Sequence, residues 1–303
     1  MDYVLRTNGL CKKYRSFTAL NELTMSIPKG SIYGFVGRNG AGKTTLIRLI
    51  TGLQLPDSGE FEIYGVKNTD KGINDSRKRM GAVVETPAVY LDLSAKENLR
   101  MQYRILGMPD FKGIDELLEL VGLADTGRKK AKNFSLGMRQ RLGIAVALCG
   151  NPDFLVLDEP VNGLDPQGII DIRELILRLN HEKNITILIS SHILEELSKL
   201  ATHYGFIDGG RMICEMSAEE LEQACRKSVR MTVTDMGALS RTLDDMGVEY
   251  KILDSSTVDV FAKLNFTQTA LKLSEQGCEI ITMEEKDESL ESFYISLVGG
   301  GEK

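Results

Sequence analysis

Apolar positions set the first part of the chain apart as strands that feed a helix. Glu22–Ile27 alternates apolar and polar residues like a half-buried strand, and Ser31–Val36 is a short apolar strand. From Lys43 the spacing changes. Leu46, Ile47, Leu49, Ile50 and Leu53 recur at helical intervals and predict a helix over 43–53. Phe61 and Ile63 mark another strand, and Met80–Val84 one more. After residue 86 the pattern turns helical. Ser94-Ala95-Lys96-Glu97 is a capping box opening a helix to about Leu106. Asp115–Val121 predicts a second helix, and Ser135 can cap a third running to Cys149.

Strand character returns at Asp153–Leu157 and Ile185–Ser190, with a helix between them at Gln167–Asn180, which makes a parallel crossover unit. Tyr204–Ile207 and Arg211–Cys214 flank Asp208-Gly209-Gly210 as a closing hairpin, and Ser217 with Glu220 forms another capping box. The last stretch has its own rhythm. Strands at Val229–Thr234, Tyr250–Leu253, Val258–Ala262 and Glu279–Met283 alternate with helices at Ala238–Met246 and Thr267–Gln276, and a last helix covers Glu288–Val298. The order strand–helix–strand–strand–helix–strand matches a ferredoxin-like unit. The expected domains are therefore 1–215, with a helical insert at about 86–150, and an accessory domain at 216–303.

Composition narrows the function. At 303 residues the chain is long enough for one large and one small domain. The formal charge of −6 argues against bulk nucleic-acid binding, which needs a basic face, so no nucleic acid is expected as a partner. No run approaches the ~18 apolar residues of a membrane helix. The start has neither the basic region nor the apolar core of a signal peptide. The five cysteines are scattered and form no CxxC pair, which suggests neither a zinc site nor a disulfide framework. The chain reads as cytoplasmic with reduced thiols, so work at a membrane requires another subunit to supply the span.

Residues 37–44 read Gly37-Arg38-Asn39-Gly40-Ala41-Gly42-Lys43-Thr44, a phosphate-binding loop of the form GxxxxGK[ST] between a strand and a helix. The glycines let several backbone N–H groups face one anion, and the helix that follows adds its positive end. Lys43 is expected to reach the β- and γ-phosphates, the Thr44 hydroxyl to hold Mg²⁺, and Thr45 to bond the α-phosphate. Further on, Phe154-Leu155-Val156-Leu157 drives a strand into the core and leaves Asp158-Glu159 at its end. Adjacent side chains there point different ways. Asp158 is expected to hold Mg²⁺, and Glu159 to polarise the attacking water.

Phe134-Ser135-Leu136-Gly137-Met138, followed by Arg139-Gln140-Arg141-Leu142, resembles the signature sequence of the ATP-binding-cassette (ABC) ATPases. The family consensus is LSGGQ, and this chain departs at the first, third and fifth positions while keeping the serine and second glycine. The resemblance covers about residues 3–215. It implies an α/β fold: a P-loop NTPase ABC cassette with an antiparallel β subdomain, a helical insert and the small C-terminal α+β domain of ferredoxin-like order. It also implies that ATP is sandwiched between two subunits, with Ser135 and Gly137 aimed at a γ-phosphate bound by the partner. Tyr14 resembles the aromatic residue that stacks on the base, and base stacking does not exclude GTP. Asn162-Gly163-Leu164-Asp165 resembles the D-loop, and His192 the switch histidine that contacts the γ-phosphate. Glu85 stands where the family usually has a glutamine facing Mg²⁺ and its water, and Glu85-Thr86-Pro87 resembles the branch serving bacitracin and lantibiotic exporters. Thr86–Tyr103 corresponds to the groove that receives a cytoplasmic helix of the membrane subunit, with Pro87, Ala88, Val89, Tyr90 and Leu91 as candidate apolar contacts.

The implied function is the ATP-hydrolysing subunit of a bacterial exporter, acting as a homodimer or with a close homologue. It would sit on the inner face of the membrane through a polytopic permease, with ATP and Mg²⁺ as cofactors. A role in antimicrobial-peptide resistance follows from the branch. Two alternatives stand beside it. A soluble ABC-type ATPase acting on ribosomes or DNA is disfavoured by the single cassette, the absence of a sustained heptad stretch and the acidic balance. A small-molecule kinase would leave the signature and D-loop without work.

Overall fold

The computed structural model describes residues 2–225, 228–262, 264–286 and 290–299. The chain divides into two units, Met1–Ala218 and Glu219–Lys303.

The first unit opens with a long antiparallel hairpin, β1 (Tyr3–Tyr14) and β2 (Phe17–Pro28), turned through Arg15 and Ser16. The sequence pattern passes over β1 altogether. Its outward positions carry Arg6, Asn8, Lys12 and Lys13, and register shifts between Tyr3 and Lys13 break the alternation that marks a strand. Only Val4, Leu5 and Leu10 of β1 are buried among its apolar residues. The chain then runs through β3 (Ile32–Val36) into α1 (Lys43–Ile50). That helix stops short of the expected Leu53. Gly52 turns to φ 83°, and Leu53 beyond it is 65% exposed. β4 (Ser58–Ile63) and β5 (Val66–Lys67) follow and complete a four-stranded antiparallel sheet in the order β2-β1-β4-β5.

A short helix α2 (Ile73–Lys78) leads to β6 (Met80–Val83). The helical segment comes next: α3 (Ala95–Ile105), α4 (Ile114–Leu120) and α5 (Leu136–Leu148). At the start of α3 the Ser94 Oγ accepts from the Glu97 N–H at 3.3 Å, and the Glu97 carboxylate accepts from the Ser94 N–H at 2.7 Å. The Ser94 N–H and hydroxyl, each donating to that carboxylate at 2.7 Å, hold the Glu97 carboxyl below its usual range. Asn98 reaches back to the preceding loop, accepting from the Tyr90 N–H at 2.7 Å and donating to the Tyr90 carbonyl at 3.1 Å.

β7 (Phe154–Asp158), α6 (Pro166–Lys183) and β8 (Thr186–Ser191) form the crossover unit, and α7 (Leu194–Ser198), β9 (His203–Asp208) and β10 (Arg211–Ser217) close the unit. The second sheet has six strands in the order β10-β9-β3-β8-β7-β6, and only the β10–β9 pair is antiparallel. Every residue of β3, β7 and β8 is buried. Such strands read as unbroken apolar runs because helices and sheet cover both faces. Each fully buried Leu, Ile or Phe contributes roughly 1.5–3 kcal/mol. The consequence for function is positional. β8 lies between β3 and β7, so the segments leaving the C-terminal ends of all three emerge side by side. Those segments are Gly37–Thr44, Glu159 and His192. Parallel sheets bind ligands at this edge.

In the second unit, after α8 (Ala218–Ala224), β11 (Ser228–Val233), α9 (Met236–Asp245), β12 (Tyr250–Ile252), β13 (Thr257–Val260), α10 (Phe266–Glu275), β14 (Ile280–Lys286) and α11 (Leu290–Gly299) follow. Glu288, the expected start of the last helix, lies outside the described residues. The antiparallel sheet has the order β12-β13-β11-β14, the ferredoxin-like arrangement. Val229, Met231, Val233, Val258 and Val260 pack with Leu239 and Leu243 of α9 and Leu273 of α10. The alternate positions form a charged row across all four strands: Lys251 pairs with Asp259, Asp259 with Arg230, and Arg230 with Glu284. Arg230 grips Asp259 with two bonds of 2.7 Å.

Candidate functional site

β3 ends at Val36, and the chain curls through the glycine-rich loop before α1 begins. Gly42 stands at the cap of α1 with φ 111° and offers no side chain to the first-turn N–H groups, which leaves that positive end to an anion. A Cβ on Gly42 would lie 2.5 Å from the Ala19 carbonyl oxygen, and one on Gly37 would lie 2.6 Å from that of Ile207. The loop thus threads between β2 and β9 with room only for hydrogen. Gly42→Ala is expected to cost about 1–3 kcal/mol in backbone strain alone. A lowered melting temperature together with lost nucleotide affinity would register it.

Lys43 is only 5% exposed. Its ammonium donates to the Gly37 carbonyl at 2.6 Å and the Arg38 carbonyl at 3.3 Å, and forms an ion pair with Glu159 at 3.2 Å. Glu159 follows β7 with φ 49°, a left-handed backbone that costs a non-glycine residue energy. Its other carboxylate oxygen lies 2.8 Å from the Nδ1 of His192. Glu159 is therefore held between a lysine from the first turn of α1 and a histidine that follows β8.

Ser190 organises both acids, and nothing in the sequence singled it out. Its hydroxyl donates to Asp158 at 2.5 Å and accepts from the Glu159 N–H at 3.0 Å. Asp158 is 1% exposed, and its second oxygen, Oδ2, has no hydrogen-bond partner. A buried carboxylate oxygen in that condition is costly unless a cation completes it. With the Thr44 hydroxyl at the neighbouring helix start, the two groups fit the oxygen-donor chemistry of Mg²⁺.

A cavity of about 210 Å³ opens over the loop, lined by Asn39, Gly40, Gly42, Lys43, Thr44, Thr45 and Glu159 on one side. Tyr14, Phe17 and Ala19 of the β1–β2 hairpin line the other. Phe17 escaped the sequence reading, although it stands opposite Tyr14 in the hairpin register. Ala41 is buried within the loop itself.

Of the expected site residues, Gly37, Ala41, Asp158 and His192 adjoin the loop or the sheet end without lining this cavity, and Glu85, Ser135 and Gly137 do not line it either. Glu85, two residues beyond β6, has φ 60°, is exposed, and forms a salt bridge with Arg48 of α1. Ser135 caps α5, accepting from the Met138 N–H at 3.2 Å, and Gly137 follows in its first turn. Asp165 likewise caps α6, accepting from the Gly168 N–H at 3.2 Å with Pro166 next. Along the loop after Glu85, Pro87 packs against Gly143 of α5, whereas Tyr90 and Leu91 are 53% and 48% exposed.

A family model described as ABC transporter matches residues 20–162. The chain is 40% identical to the bacitracin transport ATP-binding protein BcrA of Bacillus licheniformis, over 99% of each chain. It is 41% identical to the lantibiotic transport ATP-binding protein SrtF of Streptococcus pyogenes, over 73% of this chain and 95% of that one. The solved structure of cbiO1 from Clostridium perfringens, part of the ABC transporter complex cbiONQ, matches with a TM-score of 0.66 at 27% identity, covering 74% of this chain and 92% of that one.

Proposed function

The chain belongs to the ABC transporter family as an ATP-binding, ATP-hydrolysing subunit, and on that premise we propose that it powers a separate membrane permease exporting a bacitracin- or lantibiotic-like peptide. The observation that carries the catalytic reading is the suspension of Glu159 between Lys43 and His192 at the end of the parallel sheet. Glu159 is the group that polarises the attacking water. A γ-phosphate arriving at the loop competes with Glu159 for the Lys43 ammonium, and this frees the carboxylate to take the water's proton. His192 holds Glu159 from its other oxygen and faces the same phosphate.

Thr44 and Asp158 would hold Mg²⁺, which supplies charge neutralisation on the phosphate oxygens when bound. Glu85 joins that group only by exchanging its Arg48 partner. Glu85→Gln is therefore expected to keep the steady-state ATPase rate within about fivefold, the scale of an exposed ion pair. A complete loss would assign the carboxylate a chemical step.

Ser135 and Gly137 lie outside the chain's own cavity at the start of α5, where Ser135 is exposed, which supports a role across a dimer. ATP then closes two subunits face to face, and hydrolysis reopens them. Closure biases the permease between two conformations, which is how the chemical step becomes transport. Among the described residues no helix is long and apolar enough to cross a membrane. The peripheral placement at the inner membrane face thus depends on the permease. Exposed Tyr90 and Leu91 offer it an apolar contact.

The test is recovery of the tagged chain from detergent-solubilised membranes. A polytopic membrane protein should copurify and stimulate ATP hydrolysis. Recovery only with ribosomes or DNA would overturn the transporter reading.

A further inference from the structure

The end of β1 is stitched to the segment that leaves α1 by bonds that no part of the catalytic reading uses. The Asp57 N–H donates to the Cys11 carbonyl at 3.0 Å, and the Lys13 N–H donates back to the Asp57 carboxylate at 2.6 Å. The Lys12 ammonium donates to Asp57 at 3.1 Å and to the Leu55 carbonyl at 2.8 Å. The Tyr14 hydroxyl donates to the side-chain oxygen of Gln54. Gln54 is itself tied to the helix, its N–H donating to the Arg48 carbonyl at 3.0 Å. The Lys13 N–H and the Lys12 ammonium hold the Asp57 carboxyl below its usual range, so the clasp is charged at neutral pH.

This arrangement joins the two ends of one helix to the two ends of one ligand. The first turn of α1 carries Lys43, Thr44 and Thr45 of the phosphate site. The residues after its last turn hold Tyr14. Tyr14 is 36% exposed, and the Lys12 ammonium lies 5.8 Å from its ring centroid, the outer reach of a cation–π contact, so neither alone selects one rotamer for it. The hydroxyl bond to Gln54 supplies the missing constraint.

We propose that Gln54 and Asp57 are positioning residues that hold the Tyr14 ring at a fixed reach from the phosphate loop, so that base and triphosphate bind together. The proposal rests on the reading of Tyr14 as the platform for the base. It deepens that reading by naming what sets the platform.

The experiment measures, on the full chain, the affinity for a ribose-labelled fluorescent ATP analogue and, by competition, for inorganic tripolyphosphate, which has no base. Gln54→Ala and Tyr14→Phe each remove one partner of the same bond. Each is expected to weaken ATP by about three- to tenfold, the scale of one hydrogen bond, while tripolyphosphate binds as before. The double variant should be no weaker than either single one, because both delete the same interaction. In steady state Gln54→Ala should raise KM for ATP with kcat unchanged. Asp57→Ala should shift the ATP-to-tripolyphosphate ratio in the same direction. Equal weakening of both ligands in Gln54→Ala would mean that the segment merely supports the phosphate loop, and would overturn the proposal. So would a Gln54→Ala protein that binds ATP normally while Tyr14→Ala binds it weakly. Normal ATP binding by Tyr14→Ala would instead remove the platform reading, and the proposal with it.

Discussion

Glu159→Gln is expected to bind ATP as well as the parent chain and to hydrolyse it ~10²–10⁴ times more slowly, the usual worth of a positioned general base. The substitution is nearly isosteric, so the left-handed backbone at φ 49° and the Ser190 bonds to the backbone N–H are retained. The amide still reaches His192 and Lys43, but it no longer carries the charge that draws a proton from water. Nucleotide should therefore accumulate in its unhydrolysed state. Gel filtration with ATP and Mg²⁺ should show a dimer that persists in this variant and dissociates in the parent. A phosphate-release assay decides the matter: an unchanged rate removes Glu159 from its role, whatever the geometry.

Lys43→Ala separates binding from chemistry. Lys43 is almost fully buried, and its ammonium serves two carbonyls and one carboxylate. Charge-assisted hydrogen bonds contribute about 1.5–3 kcal/mol each, so losing one such contact to phosphate weakens ATP roughly ten- to hundredfold. A second penalty comes from the protein. The Glu159 carboxylate loses its counter-ion beside an incoming triphosphate, and the two like charges repel. Titration with fluorescent nucleotide should show lost affinity in Lys43→Ala and retained affinity in Glu159→Gln. If Lys43→Ala bound ATP normally and failed only in turnover, its assignment to phosphate binding would be wrong.

Legibility in the sequence followed burial. β3, β7 and β8 were readable because both of their faces are covered and, apart from Asp158 at the end of β7, every position is apolar or small. The phosphate loop and the acidic pair were readable because their spacing is rigid. β1 was not, since its outer positions are charged and its register slips, and period two is the only signal a half-exposed strand sends. Ser190 was invisible for a different reason. One serine at the end of an apolar run is unremarkable until the fold sets it beside Asp158 and Glu159. Phe17 and Gln54 were missed likewise, because each matters only through a residue distant in sequence. Glu85 could be placed at the end of a strand. Its turn toward Arg48 depends on a positive φ that local pattern does not encode. The C-terminal strand order was legible from the switch between periods of two and 3.6.

The charged row of the second unit ends at the edge strand β14, in Glu284. Among the described residues β14 pairs only with β11, so its other side presents open backbone donors and acceptors, a template for a neighbouring molecule's strand. Glu284 and Glu285 both project from it and are exposed. Antiparallel docking of two such edges would bring carboxylates together, and like charges facing across strands oppose pairing. Two exposed carboxylates on β14 thus oppose the addition of a foreign strand to the second unit's sheet.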